Sequence, residues 1–185
     1  MSSFNQLPEN LPIPKDDGLA NHLVGMKLPS IALQATNGSK FDCSSVAGYI
    51  VIYCYPMTGR PEVSLPEGWD NIPGARGCTP QSCSYRDHYS DLKALGSKVV
   101  GLSTQTTGYQ KEMVDRLHLP FLVLSDCKFY FKRALSLPTF EAAGMTLLKR
   151  LTMIAKDGII VAVHYPIFPS DSDPLWVMNY LKDGK

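Results

Sequence analysis

The sequence predicts an α/β sandwich: a central mixed β-sheet flanked by helices, with a β-hairpin near the amino terminus. Three observations carry that prediction. Residues 49–55 form an unbroken apolar and β-branched run, the pattern of a strand buried on both faces of a sheet. From residue 80 to 135, helical and strand patterns alternate in the rhythm that parallel crossovers require. Two dipeptides, Asn37-Gly38 and Asp157-Gly158, lie between strand-like runs and supply the backbone angles of tight hairpins.

The elements follow in order. Residues 1–18 carry three prolines and little periodicity, and read as an extended arm before a single domain over 19–185. The hairpin pairs residues 31–35 with 39–43, and strand 49–55 is central and ends at Pro56. Residues 57–77 hold four glycines and three prolines and are loop. A helix is predicted over 80–95, with Thr79 as its cap, Pro80 at the first helical position and Gly96 as the stop. Strand 98–104, helix 107–117, strand 121–124 and helix 126–135 come next. Strands 147–155 and 159–165 are joined at Asp157-Gly158, and a last helix begins near Asp173-Pro174, with 171–173 as its cap. Ligands of such sheets bind beyond strand carboxyl ends, which is where the loop before Cys78 returns.

Composition limits the function. Apolar residues make up 44 % of the 185 and charged residues 19 %, which suits a packed core and excludes global disorder. A net charge of +1 without a basic arm leaves no field to draw in nucleic acid or an anionic membrane, so neither is an expected partner. The amino terminus lacks the basic and apolar regions of a secretory signal, and no apolar run approaches the roughly 18 residues of a membrane span. A cytoplasmic location is expected. Five cysteines (Cys43, Cys54, Cys78, Cys83, Cys127) at irregular spacing argue for free thiols rather than a disulfide framework.

The strongest constellation lies in residues 76–87, where two cysteines stand five apart and the first opens a helix. A thiol at a helix mouth faces unsatisfied N–H groups and the positive end of the macrodipole, which favour the thiolate, the only nucleophilic form. Cys78 is therefore the nucleophile candidate. The alternative is a small capping residue at 78 and a core hydrophobe at 83.

Here the chain resembles a known family, the peroxiredoxins, and within it the Q-type branch, also called bacterioferritin comigratory proteins. The matching residues are Tyr55-Pro56, Thr58, Gly77-Cys78-Thr79, Cys83 and Arg86-Asp87, with further agreement at 25–29, 99–103 and 124–126. The resemblance spans roughly residues 23–165 and implies a thioredoxin-like fold and reduction of hydrogen peroxide and organic hydroperoxides. It places Cys78 on the peroxidatic cysteine, whose thiolate becomes a sulfenic acid, and Cys83 on the resolving cysteine, which closes an intramolecular disulfide. Helix positions five apart lie about 7.5 Å apart along the axis and point about 140° apart, whereas a disulfide wants Cα atoms within about 7 Å. The first turn must unwind before that bond closes. The resemblance also implies that Arg150, within 149–158, holds the thiolate and the peroxide oxygens, and that Pro56 shields the sulfur. One of Lys149 and Arg150 must face solvent, because neighbours on a strand alternate.

One departure stands before the cysteine. The family threonine stands three residues ahead of it, a place held here by Ala75, and nineteen residues (59–77) separate Thr58 from Cys78. Thr58 orients the peroxide only if this inserted loop returns; otherwise it caps the strand end. Trp69, Pro61 and Pro66 suggest that the loop packs against something.

Other residues take plainer readings. Cys54 and Cys43 belong to strands, Cys127 opens a helix, and His22 and His164 have no recognisable partner. Zinc on Cys78, Cys83 and His88 is disfavoured because a helix points them apart. No cofactor or metal is expected. The implied partners are a small peroxide and a dithiol protein reductant such as thioredoxin or glutaredoxin, with the chain a monomer or homodimer. Two other functions compete. A thiol–disulfide oxidoreductase is disfavoured by C-x-x-x-x-C in place of C-x-x-C, and a redox-switched binding module would be oxidised only once.

Overall fold

The computed structural model describes residues 7–184; residues 1–6 of the expected arm, and Lys185, lie outside the described residues. Nine strands and five α-helices build a thioredoxin-like α/β fold among the described residues. β1 (Ala32–Ala35) and β2 (Lys40–Asp42) form the hairpin around Asn37-Gly38. Gly38, at φ 86°, supplies the turn conformation that side-chain-bearing residues resist. β3 (Tyr49–Cys54) is followed by α1 (Cys78–Asp87), α2 (Tyr89–Ala94), β4 (Ser97–Ser103), α3 (Thr107–Leu117) and β5 (Leu122–Ser125). Then come α4 (Tyr130–Leu135), β6 (Thr139–Ala142), β7 (Met145–Leu148), β8 (Leu151–Lys156), β9 (Ile159–His164) and α5 (Asp173–Asp183).

The main sheet runs β2-β1-β5-β4-β3-β8-β9, parallel through β5-β4-β3 and antiparallel outside them. β3, like β5, pairs parallel on one side and antiparallel on the other, and its alternation splits the core. Ile50, Ile52 and Cys54 pack on one face with Leu33, Phe131 and Leu135. Val51, Tyr53 and Tyr55 pack on the other with Tyr85 of α1, Met113 of α3 and Val177 of α5. Burying both faces explains why the sequence of β3 shows no polar alternation. Gly101 in β4 makes room for this packing, since an added Cβ would stand 2.8 Å from the Tyr53 ring. That ring stacks on Tyr85 at 4.4 Å and fixes α1 against the sheet.

Four expectations are corrected. The predicted 80–95 helix is two helices that bend at His88 (φ −97°, ψ 7°), a break no glycine or proline announces. Thr79 does not cap α1: Gly77 occupies the N-cap in the left-handed region, and Thr79 is already helical. The predicted 147–155 strand is divided. β7 pairs with β6 in a separate two-stranded ribbon, and β8 joins the main sheet after a break at 149–150. Finally, α4 starts at Tyr130, so Cys127 lies exposed in the preceding turn, where buried Asp126 accepts the Phe131 and Lys132 N–H groups.

The long connection from β3 to α1 is packed rather than loose. Trp69 is 3 % exposed and joins Met57, Ala75 and Leu147 in a small satellite core beneath the β6–β7 ribbon. The arm also touches this connection, because an added Cβ at Gly74 would meet Pro14 at 3.6 Å.

Candidate active site

Cys78 is the first residue of α1 and is 3 % exposed. Its position depends on Gly77, whose φ of 109° suits glycine alone and whose missing side chain leaves space: an added Cβ would sit 2.3 Å from Ser170 Oγ and 3.0 Å from Leu7 Cδ2. Gly77→Ala is accordingly expected to destabilise the fold by about 2 kcal/mol through backbone strain and overpacking. An unchanged urea midpoint for that variant would show that the segment relaxes freely.

The break between β7 and β8 determines what stands over the sulfur. Lys149 is half-exposed and pairs with Asp17 at 2.5 Å, while Arg150 turns inward and is 4 % exposed. The Arg150 guanidinium is divided between two tasks. Nη2 lies 3.2 Å from Cys78 Sγ and also 3.2 Å from the carbonyl oxygens of Gly74, Ala75 and Arg76. Nη1 donates to Gln81 Oε1, one turn into α1. Arg150 thus gathers the segment before the cysteine and the helix after it around one sulfur. Its positive charge and planar donors stand next to Sγ in a site largely closed to water. The thiol in turn points at Ala75 O, 3.6 Å away.

Thr58 is brought to the same place. The connection loops out and returns so that Thr58, Trp69 and Cys78 line one small cavity, with Met57, Leu65 and Arg76 completing much of its wall. Thr58 is 1 % exposed and held by Gln105, whose Oε1 accepts from Thr58 N at 3.1 Å and from Thr58 Oγ1 at 3.3 Å, while its Nε2 donates to Thr58 O at 3.3 Å. Pro56 is buried after β3 but does not line this cavity. Ala75 contributes its carbonyl to Arg150, and its side chain enters the satellite core.

Cys83 is half-buried on the same continuous helix, and both cysteines are free thiols. Burial pushes the Cys83 thiol up against the opposing pull of Arg86 and Arg116, so it stays protonated while α1 is intact.

Sequence reasoning missed the polar residues behind Arg150. Asp173, read as part of a cap, makes no capping bond; it is fully buried and accepts from Gln81, Tyr85 and Thr152. His164 has a partner after all, with Nδ1 2.8 Å from Asp173 Oδ1, and its ring stacks on Trp176. His22 Nε2 likewise meets Leu135 O at 2.8 Å. Gln81 was detectable, since three residues after Cys78 on a helix is the same face. Asp173 and Gln105 carry no local signal.

A buried, arginine-covered cysteine at a helix mouth on a thioredoxin-like sheet defines a class, the thiol-dependent oxidoreductases that work through one reactive sulfur. Comparison with known proteins narrows it. A chloroplastic peroxiredoxin Q of Populus jackii is 26 % identical over 161 residues, covering 84 % of this chain and 68 % of that protein. Peroxiredoxin Bcp of Bacillus subtilis (strain 168) is 24 % identical over 143 residues, covering 75 % of this chain and 82 % of its own. Among solved structures, peroxidoxin BcpB of Mycobacterium tuberculosis superposes with a TM-score of 0.72 at 19 % identity, over 88 % of this chain and 97 % of that one. Peroxiredoxin Q of Xanthomonas campestris does so with a TM-score of 0.68 at 18 % identity, over 85 % and 96 %. The chain belongs to the Redoxin family, which matches residues 23–175, and within it to the Q-type peroxiredoxins, thiol-dependent peroxidases. No helix among the described residues is long and apolar enough to cross a membrane.

Proposed function

We propose that Cys78 is the sulfur that reduces the peroxide and Cys83 the sulfur that resolves the product. The observation that carries this reading is the 3.2 Å contact from Arg150 Nη2 to Cys78 Sγ, beside the small cavity that Cys78 and Thr58 line together. The Cys78 thiolate attacks one peroxide oxygen, the O–O bond breaks, and the leaving oxygen takes a proton to depart as water or alcohol. Cys78 becomes a sulfenic acid. Arg150 stabilises the charge on sulfur and on the separating oxygens, Thr58 orients the peroxide, and buried Pro56 helps exclude water.

The first turn of α1 then unwinds. Unwinding releases Cys83 from the burial that keeps it protonated, its thiolate attacks the sulfenic sulfur, and water leaves as the disulfide forms. An external dithiol protein, of thioredoxin or glutaredoxin type, restores both thiols by exchange. The residues from Gly59 to Gly77 act on this reading as an insertion that shapes the cavity wall through Trp69 and Leu65.

The test is hydrogen peroxide and cumene hydroperoxide consumption driven by a dithiol protein, with repeated turnovers expected. A single stoichiometric oxidation would favour a redox switch instead. Cys83→Ser is expected to keep the first oxidation and lose recycling, so that mass spectrometry finds Cys78 as sulfenic and then sulfinic acid. Unchanged recycling in that variant would remove Cys83 from the role. We place the protein in the cytoplasm, a reading supported by five unpaired thiols. Several relatives are named as chloroplastic, and microscopy of the tagged chain separates the two compartments.

A further inference from the structure

Behind Arg150 lies a buried polar network that the peroxidase reading leaves unused. Asp173, at the start of α5, is 0 % exposed. Its Oδ2 accepts from Gln81 Nε2 at 2.8 Å, Tyr85 OH at 2.9 Å and Thr152 Oγ1 at 2.7 Å. Its Oδ1 faces His164 Nδ1 at 2.8 Å. One carboxylate therefore ties α5 to α1, β8 and β9. Gln81 connects this network to the reactive sulfur, because its other amide atom accepts from Arg150 Nη1.

We infer that Asp173 is a positioning residue for peroxide reduction: through Gln81 it holds Arg150 at the Cys78 sulfur. The argument is one of hydrogen-bond polarity. A carboxylate only accepts and a guanidinium only donates, so an amide between them satisfies both in one orientation, with Nε2 toward Asp173 and Oε1 toward Arg150. Asp173 thus dictates which end of Gln81 the arginine meets. Without that acceptor the amide is free to flip, and its NH₂ would then oppose the guanidinium and push it off the sulfur. An oxyanion-type donor is effective only when held in place, and a displacement near 1 Å costs on the order of 10²-fold in rate. Burial of all three groups makes each unmet partner costly, which is what gives the orientation its force.

This inference rests on the proposed roles of Cys78 and Arg150, and the experiment separates the two. Second-order rates of Cys78 oxidation by hydrogen peroxide are measured by stopped flow in Asp173→Ala, Asp173→Asn, Arg150→Lys and Arg150→Lys/Asp173→Ala. Asp173→Ala is expected to slow oxidation about 10- to 100-fold, and Asp173→Asn, which keeps an acceptor for Gln81, to recover most of that loss. In the Arg150→Lys background the Asp173→Ala change is expected to cost less than about threefold, because residues acting through one group are not additive. A residue that merely glues α5 to the sheet would not produce that collapse.

A parental rate in Asp173→Ala, or its full cost carried into the Arg150→Lys background, would overturn the inference while leaving Arg150 in place. Arg150→Lys reacting at the parent rate would overturn the inference as well, because the donor fork that Gln81 holds would then be incidental, and only Arg150→Ala at the parent rate would withdraw the role of Arg150 itself. Should Asp173→Ala show no cooperative unfolding transition, Gln81→Glu carries the test. Two facing carboxylates cannot both ionise comfortably, so this variant is expected to react slowly at pH 8, and adding Asp173→Asn, whose amide can donate to the new carboxylate, to restore the rate. An unaffected Gln81→Glu, or no restoration, overturns the inference equally.

Discussion

Cys78→Ser is expected to lower peroxide turnover by about 10³-fold or more, the largest effect of any single substitution in this chain. The replacement differs by one atom and leaves an acceptor for Arg150, so the fold should survive, and an unchanged urea midpoint is the control. What disappears is the nucleophile, because a hydroxyl is not ionised at neutral pH and has no low-energy path to an oxidised product at peroxide oxygen. The other thiols do not substitute for it. Burial beside Asp42 pushes Cys43 up to about 12, and full burial in β3 pushes Cys54 well above the ordinary thiol range. Both stay protonated and closed to substrate. Cys83 is raised as well while α1 is intact. Cys127 is exposed, but among the described residues no side chain hydrogen-bonds its sulfur as Arg150 does that of Cys78. Peroxide consumption at the parent rate in Cys78→Ser would move the chemistry to Cys127 and end the present assignment.

The contrast between what was legible and what was not follows the range of the physical signals. β3, the β1–β2 hairpin and the two cysteines on α1 are specified locally: a continuous apolar run, an Asn-Gly pair, and thiols beside a glycine at a helix mouth. Arg150 was identified through the family resemblance, yet its inward turn depends on the break between β7 and β8. That break falls at Lys149-Arg150, and two charged residues flanked by apolar ones still read as part of one strand. The bend at His88 escaped because no glycine or proline marks it. Asp173 is the clearest case. An aspartate before a proline at a helix start has every mark of a surface cap, and it becomes a buried acceptor only because α5 docks on α1, bringing residues 92 apart in sequence to 2.8 Å. Gln105 behaves alike, clamping Thr58 across 47 residues.

Replacing Arg150 should have the second-largest effect, and the two obvious replacements should differ. Arg150→Ala removes both the charge and the donors, and oxidation of Cys78 is expected to slow by about 10² to 10³, the usual consequence of losing a preorganised donor to developing negative charge. It also leaves the carbonyls of Gly74, Ala75 and Arg76 and the oxygen of Gln81 without their shared donor, so the folded state should weaken too. Rates must therefore be taken well below the unfolding transition. Arg150→Lys keeps the charge, but one ammonium cannot reach Gln81 and Cys78 together as the planar fork does. Its expected loss is about 10- to 100-fold, smaller than that of alanine and larger than charge alone would predict. Stopped-flow oxidation of both variants decides the matter. If lysine matches arginine, charge is the whole contribution and the fork is incidental. If alanine matches it as well, Arg150 is only a clamp on the segment before Cys78, and the peroxide is stabilised by Thr58 and the helix mouth without it.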